Sequence, residues 1–552
     1  MEPAVFIPAA LVIVLFVVFG SVFPGVASRV FDGLQSWIVD SFGWFYMLAA
    51  SVLLVVALYL LLSPIGRVRL GGEDAEPDFP AVTWFTMMLS AGMGIGIVFF
   101  GIAEPIQHFA SPPGGVEGET REAAVEAMRY TFFHWGLHPW AIYLAIALPL
   151  AYFHFRLDLP MAPRSMLYPL IGEGIYGWRG HVVDALCTVG TLFGVATSLG
   201  LGAAQINAGL GRIAGVEQDV GVQLVLIGVI TAVATVSVVS GLKVGIRRLS
   251  EFNLALLGLL LVFVLVAGPT VFQLELFVAG VGSYLQHLPG TSLGLSPGAE
   301  EGWRDRWTLF YWSWWISWSP FVGVFTARIS KGRTVREFVL AAMLVPTLVG
   351  ALWFAVVGGT GIEAVLSGAE GAGDLPERAA ENEAQSLYLL LDSLPWGGVT
   401  AVVATLLIVV FFVTSSDSGS LVDDMVTSGG DPNPPTVQRV FWAVSEGAVA
   451  ATLLVAGAAA ADGGGGGGDG GGGGDPLVAL RQASLTTGLP IAALLLVGAW
   501  GLVRALRVDA GSAGVPGLGE IAESARIRVF RRDGGGGKAG GGADDGGGDR
   551  RG

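Results

Sequence analysis

Apolar residues recur along the chain in long runs, separated by short stretches that hold most of the charge, and the runs are too long for ordinary core helices. A helix needs about 20 mostly apolar residues to cross the hydrocarbon of a bilayer. Twelve stretches qualify, near residues 5–25, 43–64, 82–103, 130–153, 182–210, 219–241, 252–274, 307–328, 337–359, 397–421, 437–460 and 484–504. The pattern therefore predicts an all-α polytopic membrane protein with twelve transmembrane helices. The first run lacks a basic leading segment and continues into Phe23-Pro24 without a small-residue cleavage site, so it reads as a span and not as a signal peptide.

Composition agrees. Of 552 residues 53% are hydrophobic and only 14% charged, which excludes a soluble chain of this length. One cysteine, Cys187, cannot form an intramolecular disulfide or a multi-cysteine metal centre. Acidic residues outnumber basic ones 45 to 30, which argues against nucleic acid as a partner. Lysine occurs only at 243, 331 and 538, a bias that fits either a high-salt host or genome base composition.

With the N-terminus inside, the cytoplasmic loops between spans carry thirteen basic residues against eight outside, and the cluster Arg328 to Arg336 votes most clearly. Both termini are thus expected to face the cytoplasm. Residues 462–475 are almost pure Gly and Asp, expected as a flexible external loop, and 533–552 as a disordered end. Between them, Ile521 to Arg532 is a short basic stretch that reads as a solvated linker or a contact for anionic lipid.

Three segments carry candidate chemistry. The third span contains Ser90-Ala-Gly-Met-Gly-Ile-Gly-Ile97, whose alternating glycines each lower helix propensity by about 1 kcal/mol. They point either to a helix broken in mid-membrane or to close packing through small residues. The fourth and eighth spans hold a dense aromatic set: Trp135, Trp140 and Tyr143, then Tyr311, Trp312, Trp314, Trp315 and Trp318. An interfacial belt explains Trp303 and Trp307, but not tryptophans well inside a span. Aromatic faces attract cations that cannot donate hydrogen bonds, above all quaternary ammonium groups. The tenth span ends in Phe411-Phe-Val-Thr-Ser-Ser-Asp-Ser418, where the hydroxyls of Thr414 and Ser415 offer either an oxygen-rich seat for an alkali cation or bonds back to their own helix. His134 and His138, at i and i+4, suggest a metal or haem site. Pro139 is expected to bend that turn, and no second histidine pair or carboxylate is evident to complete the site.

The run Trp307-Thr-Leu-Phe-Tyr-Trp-Ser-Trp-Trp-Ile-Ser-Trp-Ser-Pro-Phe321, followed by Thr326-Ala-Arg-Ile-Ser-Lys-Gly-Arg333, resembles the signature of the betaine/carnitine/choline transporter family. Gly92-Met-Gly-Ile-Gly96 with Glu104-Pro105, His134-Trp-Gly-Leu-His-Pro-Trp-Ala-Ile-Tyr143, Ser198-Leu-Gly-Leu-Gly202 and Thr414 through Gly430 agree in order and spacing, over roughly residues 5–505. The resemblance implies a leucine-transporter-type fold, two five-helix inverted repeats after two extra N-terminal helices, in a protein that is often trimeric. On that basis the chain divides into 1–81 (two N-terminal helices and a cytoplasmic loop), 82–274 (first repeat), 275–306 (external amphipathic connection), 307–504 (second repeat) and 505–552 (cytoplasmic tail).

The resemblance also assigns roles. Trp135, Trp140, Tyr143 and Trp315 would form a cage around a trimethylammonium group, with Trp314 and Trp318 along the cytoplasmic side of the pathway. Main-chain groups at Ala91, Met93 and Ile95 would meet the substrate. One sodium would be held by carbonyls near Ser90, Met93 and Phe411 with the hydroxyls of Thr414 and Ser415. The second sodium position of the family falls on Thr191, Val195 and Phe321, and Val195 has no side-chain oxygen; Thr197, Ser198 or water would have to substitute. Choline carriers of the family tend to have aspartate where this chain has Gly96, so a zwitterion such as glycine betaine is favoured.

The function expected is sodium symport of a compatible solute across the cell membrane by alternating access, without enzymatic activity or any cofactor beyond the coupling ion. A choline, carnitine or ectoine carrier is the alternative within transport. A metal or haem protein built on His134 and His138, or a pore-forming channel, lies outside it.

Overall fold

The computed structural model describes residues 1–240, 243–294, 301–431, 434–462 and 477–512. Regular structure among them is helical throughout, apart from one isolated bridge between Arg69 and Thr334. The chain divides into a unit of Met1–Leu502 and a second of Val503–Gly552, whose described residues 503–512 are helical. The Gly/Asp-rich segment, from residue 463 on, and the tail beyond residue 512, including the basic stretch Ile521 to Arg532, lie outside the described residues.

The principal helices are α1 (Pro3–Val22), α2 (Pro24–Leu62), α3 (Ala81–Gly92), α4 (Ile95–Ala110), α5 (Arg121–Trp135), α6 (Leu137–Leu157), α7 (Trp178–Ala214), α8 (Val220–Ser240), α9 (Lys243–Ala267), α10 (Thr270–Leu293), α11 (Phe310–Arg328), α12 (Val335–Leu366), α13 (Gly397–Thr427), α14 (Thr436–Asp462) and α15 (Val478–Ser512). Their ends follow local chemistry. Thr120 caps α5 by accepting the Ala123 N–H at 3.1 Å, and Thr334 with Glu337 forms a capping box at the start of α12. At the end of α7, Gly215 takes the left-handed conformation, with φ 69°, that closes a helix.

Among the described residues, ten helical stretches are long and apolar enough to cross a membrane by length and composition, with α5 and α6 taken as one. The chain is a multi-pass membrane protein. The third expected span is two helices, neither long enough alone, and the eighth, α11, is kept off the ten by its serines, proline and indoles. Apolar side chains such as Val225, Val229, Val236, Leu259, Val262 and Val266 stand exposed on α8 and α9, as expected of a hydrocarbon-facing surface.

Inside this belt α7 packs along α13 and crosses α11, while α6 packs along α11. The α7–α11 crossing is close because Gly194 has no side chain: a Cβ there would lie 3.1 Å from the backbone of Trp318. The connection expected over 275–306 begins earlier and is mostly helix, because α10 starts directly after Pro269. Residues Asp305–Leu309 then form a π-helical turn leading into α11.

Candidate functional site

The glycines of the third span do both things that their spacing allows. The helix stops at Gly92 and restarts at Ile95, with Met93 and Gly94 in non-helical conformations. Each glycine also admits an indole. A Cβ on Gly92 would stand 2.2 Å from the ring of Trp140, one on Gly94 3.0 Å from Trp318, and one on Gly96 2.7 Å from Trp314 and 3.0 Å from Trp135. Just beyond the break, two carbonyls in the first turn of α4 also accept from side chains: Trp353 Nε1 donates to Ile97 O at 2.8 Å and Gln205 Nε2 to Val98 O at 3.3 Å. Met93 and Ile95 are buried at this break; of Ser90 and Ala91 only the helical backbone is described.

A second break lies on the facing element. Gly136 separates α5 from α6, and the freed N–H of Leu137 donates to the Tyr284 hydroxyl of α10 at 3.1 Å. The interruption is thus at Gly136 and not at Pro139, which sits in the first turn of α6, where a missing N–H costs no helical bond.

The aromatic set converges between these two breaks. Trp135 meets Trp315 edge-on, centroids 4.9 Å apart at 70°; Tyr143 meets Trp315 at 6.3 Å and Trp140 at 5.5 Å. All four are at least nine-tenths buried. Trp314 stacks on Trp315 at 4.6 Å, and Trp318 continues the stack to Phe321 at 6.0 Å. Most of the polar edges are committed: Trp315 Nε1 donates to His134 O, Trp314 Nε1 to Gly194 O and Trp135 Nε1 to Glu104 Oε2. Tyr143 Oη and Trp318 Nε1 are buried without a hydrogen-bond partner. A buried donor left unpaired is costly, so these two mark places where a ligand's oxygen would be favoured.

The expected ion-binding residues separate. Ser415 Oγ lies 3.6 Å from the point where a Cβ on Gly94 would stand, so this hydroxyl faces the break. Thr414 Oγ1 bonds back to Val410 O at 2.9 Å and Phe411 O at 3.1 Å, which is the competing expectation for that residue and also places its oxygen beside the Phe411 carbonyl. At the second position Thr191 and Val195 are buried on α7 and Phe321 stacks on Trp318. Thr197 is not free to substitute for the missing oxygen, since its hydroxyl is engaged by Leu480 O and Ser484 of α15. Val195 instead adjoins a carboxylate that the sequence did not single out. Its Cγ2 and Glu446 Oε1 stand 3.0 and 2.9 Å from the same point above Gly419.

The His134–His138 pair does not form a site. His138 Nε2 pairs with Ser292 of α10 at 3.0 Å, while His134 turns to Glu104. The carboxylate that the sequence reading did not connect with these histidines is Glu104: with His108 and His134 it offers three ligand atoms within 4.8 Å of one another, all buried. Its Oε1 is shared by His134 Nδ1 at 2.7 Å and His108 Nε2 at 3.2 Å, and its Oε2 accepts from Trp135 Nε1 at 2.7 Å and Tyr311 Oη at 2.5 Å. Oε2 is thus taken by two donors outside the histidine pair, and Oε1 is shared by the two histidines.

Residues 4–511 match the family described as BCCT, betaine/carnitine/choline family transporter. An uncharacterized transporter of Mycobacterium tuberculosis is 46% identical over 511 residues, 92% of this chain and 83% of the relative. A protein of Acinetobacter baylyi named glycine betaine transporter is 42% identical over 508 residues, 92% of this chain and 74% of its own. A second protein of that organism, named an osmo-dependent choline transporter, is 39% identical over 402 residues, 73% of this chain and 58% of its own.

Proposed function

The chain belongs to the betaine/carnitine/choline transporter family, a transporter and not an enzyme, and from that premise we propose that it imports glycine betaine by sodium symport with alternating access. The observation that carries the substrate class is the convergence of Trp135, Trp140, Tyr143 and Trp315, with the unpartnered Tyr143 Oη and Trp318 Nε1 nearby. Ring faces suit a trimethylammonium group and free donors suit a carboxylate, and glycine betaine carries both. Main-chain groups at Ala91, Met93 and Ile95, with Gly96 admitting the rings of Trp314 and Trp135, complete the substrate seat.

Sodium is assigned to Ser90, Met93, Phe411, Thr414 and Ser415, supported by the Ser415 hydroxyl facing the break at Gly94. A second ion at Thr191 and Phe321 would have to do without an oxygen from residue 195.

The proposed architecture is twelve spans, with two five-helix inverted repeats at 82–274 and 307–504, in a homotrimer of the cell membrane with both termini cytoplasmic. Two interrupted elements near one site suit a midplane binding position in such a fold.

Radiolabelled uptake into proteoliposomes tests the reading, with glycine betaine, choline, carnitine, ectoine and proline compared under inward sodium or potassium gradients. Saturable betaine uptake that requires sodium is expected. Uptake indifferent to sodium refutes symport, and a preference for choline moves the chain to the alternative substrate.

A further inference from the structure

Glu104 is fully buried on α4, and three of its four hydrogen bonds tie that helix to α5 and α11, the fourth being to His108 on α4 itself. All four contacts are satisfied with Glu104 as a carboxylate. An indole N–H can only donate, so Trp135 fixes Oε2 as an acceptor, and the Tyr311 hydroxyl at 2.5 Å has the short separation of a bond to a carboxylate. The two histidines need not cancel that charge. His108 Nδ1 is buried with no partner, so a second proton there would be unsatisfied, and the ring is neutral with Nε2–H on Glu104. His134 is satisfied as a neutral tautomer too, its Nδ1–H donating to Glu104 and its Nε2 accepting from the Thr308 hydroxyl at 3.0 Å. Arg306 is drawn elsewhere, to Gln107 Oε1 at 3.1 Å and Glu383 at 3.6 Å.

A carboxylate on the N–H edge of an indole does two things. It fixes the ring plane, here the 70° edge-on approach of Trp135 to Trp315, and it places negative charge behind a ring whose face receives the ligand. We propose that Glu104 is the positioning residue of the aromatic cage, setting through Trp135 its preference for a cationic headgroup over a neutral group of the same shape. The inference rests on the cage reading above and adds its electrostatic source. It also supplies the counter-charge that Gly96 does not.

The test uses choline and its uncharged carbon analogue 3,3-dimethylbutan-1-ol as competitors of betaine uptake, in the full-length protein and in Glu104→Gln. Glutamine can still accept from Trp135 and Tyr311, and its amide can donate to both histidines once they reverse their tautomers; the one added cost is the His108 proton, which moves to the unpartnered Nδ1, so the substitution removes the charge and keeps the other contacts. The ratio of the two inhibition constants is expected to shift roughly tenfold against choline, with the neutral analogue changed less than about twofold. A purely structural role would weaken both competitors alike, and an unchanged ratio overturns the inference. Trp135→Phe removes the indole N–H and should shift the ratio in the same direction. The two substitutions combined should shift it little further than the larger alone, whereas full additivity overturns action through Trp135. Should Glu104→Gln fail to fold, Trp135→Phe decides by itself, an unchanged ratio again being fatal. An unsubstituted protein that does not favour choline over its analogue overturns the cage reading itself, and the inference with it.

Discussion

The indole of Trp314 comes within 2.7 Å of the point where a Cβ on Gly96 would stand, so the absence of a side chain at 96 is a condition of the tryptophan stack. Alanine there would favour the helix by about 1 kcal/mol and still displace the ring. Gly96→Ala is therefore expected to retain or raise thermal stability while cutting betaine uptake at least about tenfold. Gly96→Asp places a buried carboxylate beside the cage, which a cationic ligand would offset, so choline should gain on betaine in competition. Unaltered uptake in the alanine variant would mean that Trp314 yields without consequence.

Trp315 is the ring shared by both sides of the cage, since it meets Trp135 and Tyr143. Trp315→Leu should raise the KM for betaine by well over tenfold, a buried cation–π contact being worth about 2 kcal/mol. Trp303, which packs against His108 and Tyr130, is the control, and Trp303→Leu should leave KM within about twofold. Equal effects would place the ligand elsewhere.

At the proposed ion site the two hydroxyls are unequal. Ser415 faces the break, whereas Thr414 is held by its own helix. Ser415→Ala alone should raise the sodium concentration for half-maximal uptake more than Thr414→Ala, and the double substitution should abolish sodium dependence. Sodium-driven uptake that survives in the double variant would remove the ion from this site.

Val195→Thr adds an oxygen next to Glu446 Oε1, which has no partner. If the second ion is held weakly for want of that oxygen, the substitution should steepen the sodium dependence and lower its half-saturation. Each further ion carried down 100 mV contributes about 2.3 kcal/mol to accumulation. A Hill coefficient near two before and after substitution would show that other oxygens already complete the position.

The parts of this site that were legible in the sequence are those with strong local signals. Alternating glycines announced the break after Gly92 because glycine weakens a helix while admitting a ring, and mid-span tryptophans announced a buried aromatic cluster because a belt does not account for them. Relations set by tertiary approach were hidden. Glu104 is one carboxylate in an apolar stretch, and only folding brings His108, His134, Trp135 and Tyr311 onto it, though an acidic residue inside a span is itself a signal. His134 and His138 look paired by spacing, but the break at Gly136 falls between them. Helix α10, expected as connection, supplies Tyr284 and Ser292 to Leu137 and His138, the first two residues after that break.

The interruption at Gly136 divides the cage itself. Trp135 is the last residue of one helix, while Trp140 and Tyr143 belong to the next. Because the hydrogen-bond ladder already stops there, a bend about residue 136 would sacrifice no helical bond, and it would carry Trp135 with α5 relative to its companions. In the proposed reading the headgroup's seat and the bend of the element would consequently be one mechanical coordinate: a ligand that drew Trp135 toward Trp140 and Tyr143 would set an angle between two helices, and whatever set that angle first would decide whether the seat exists.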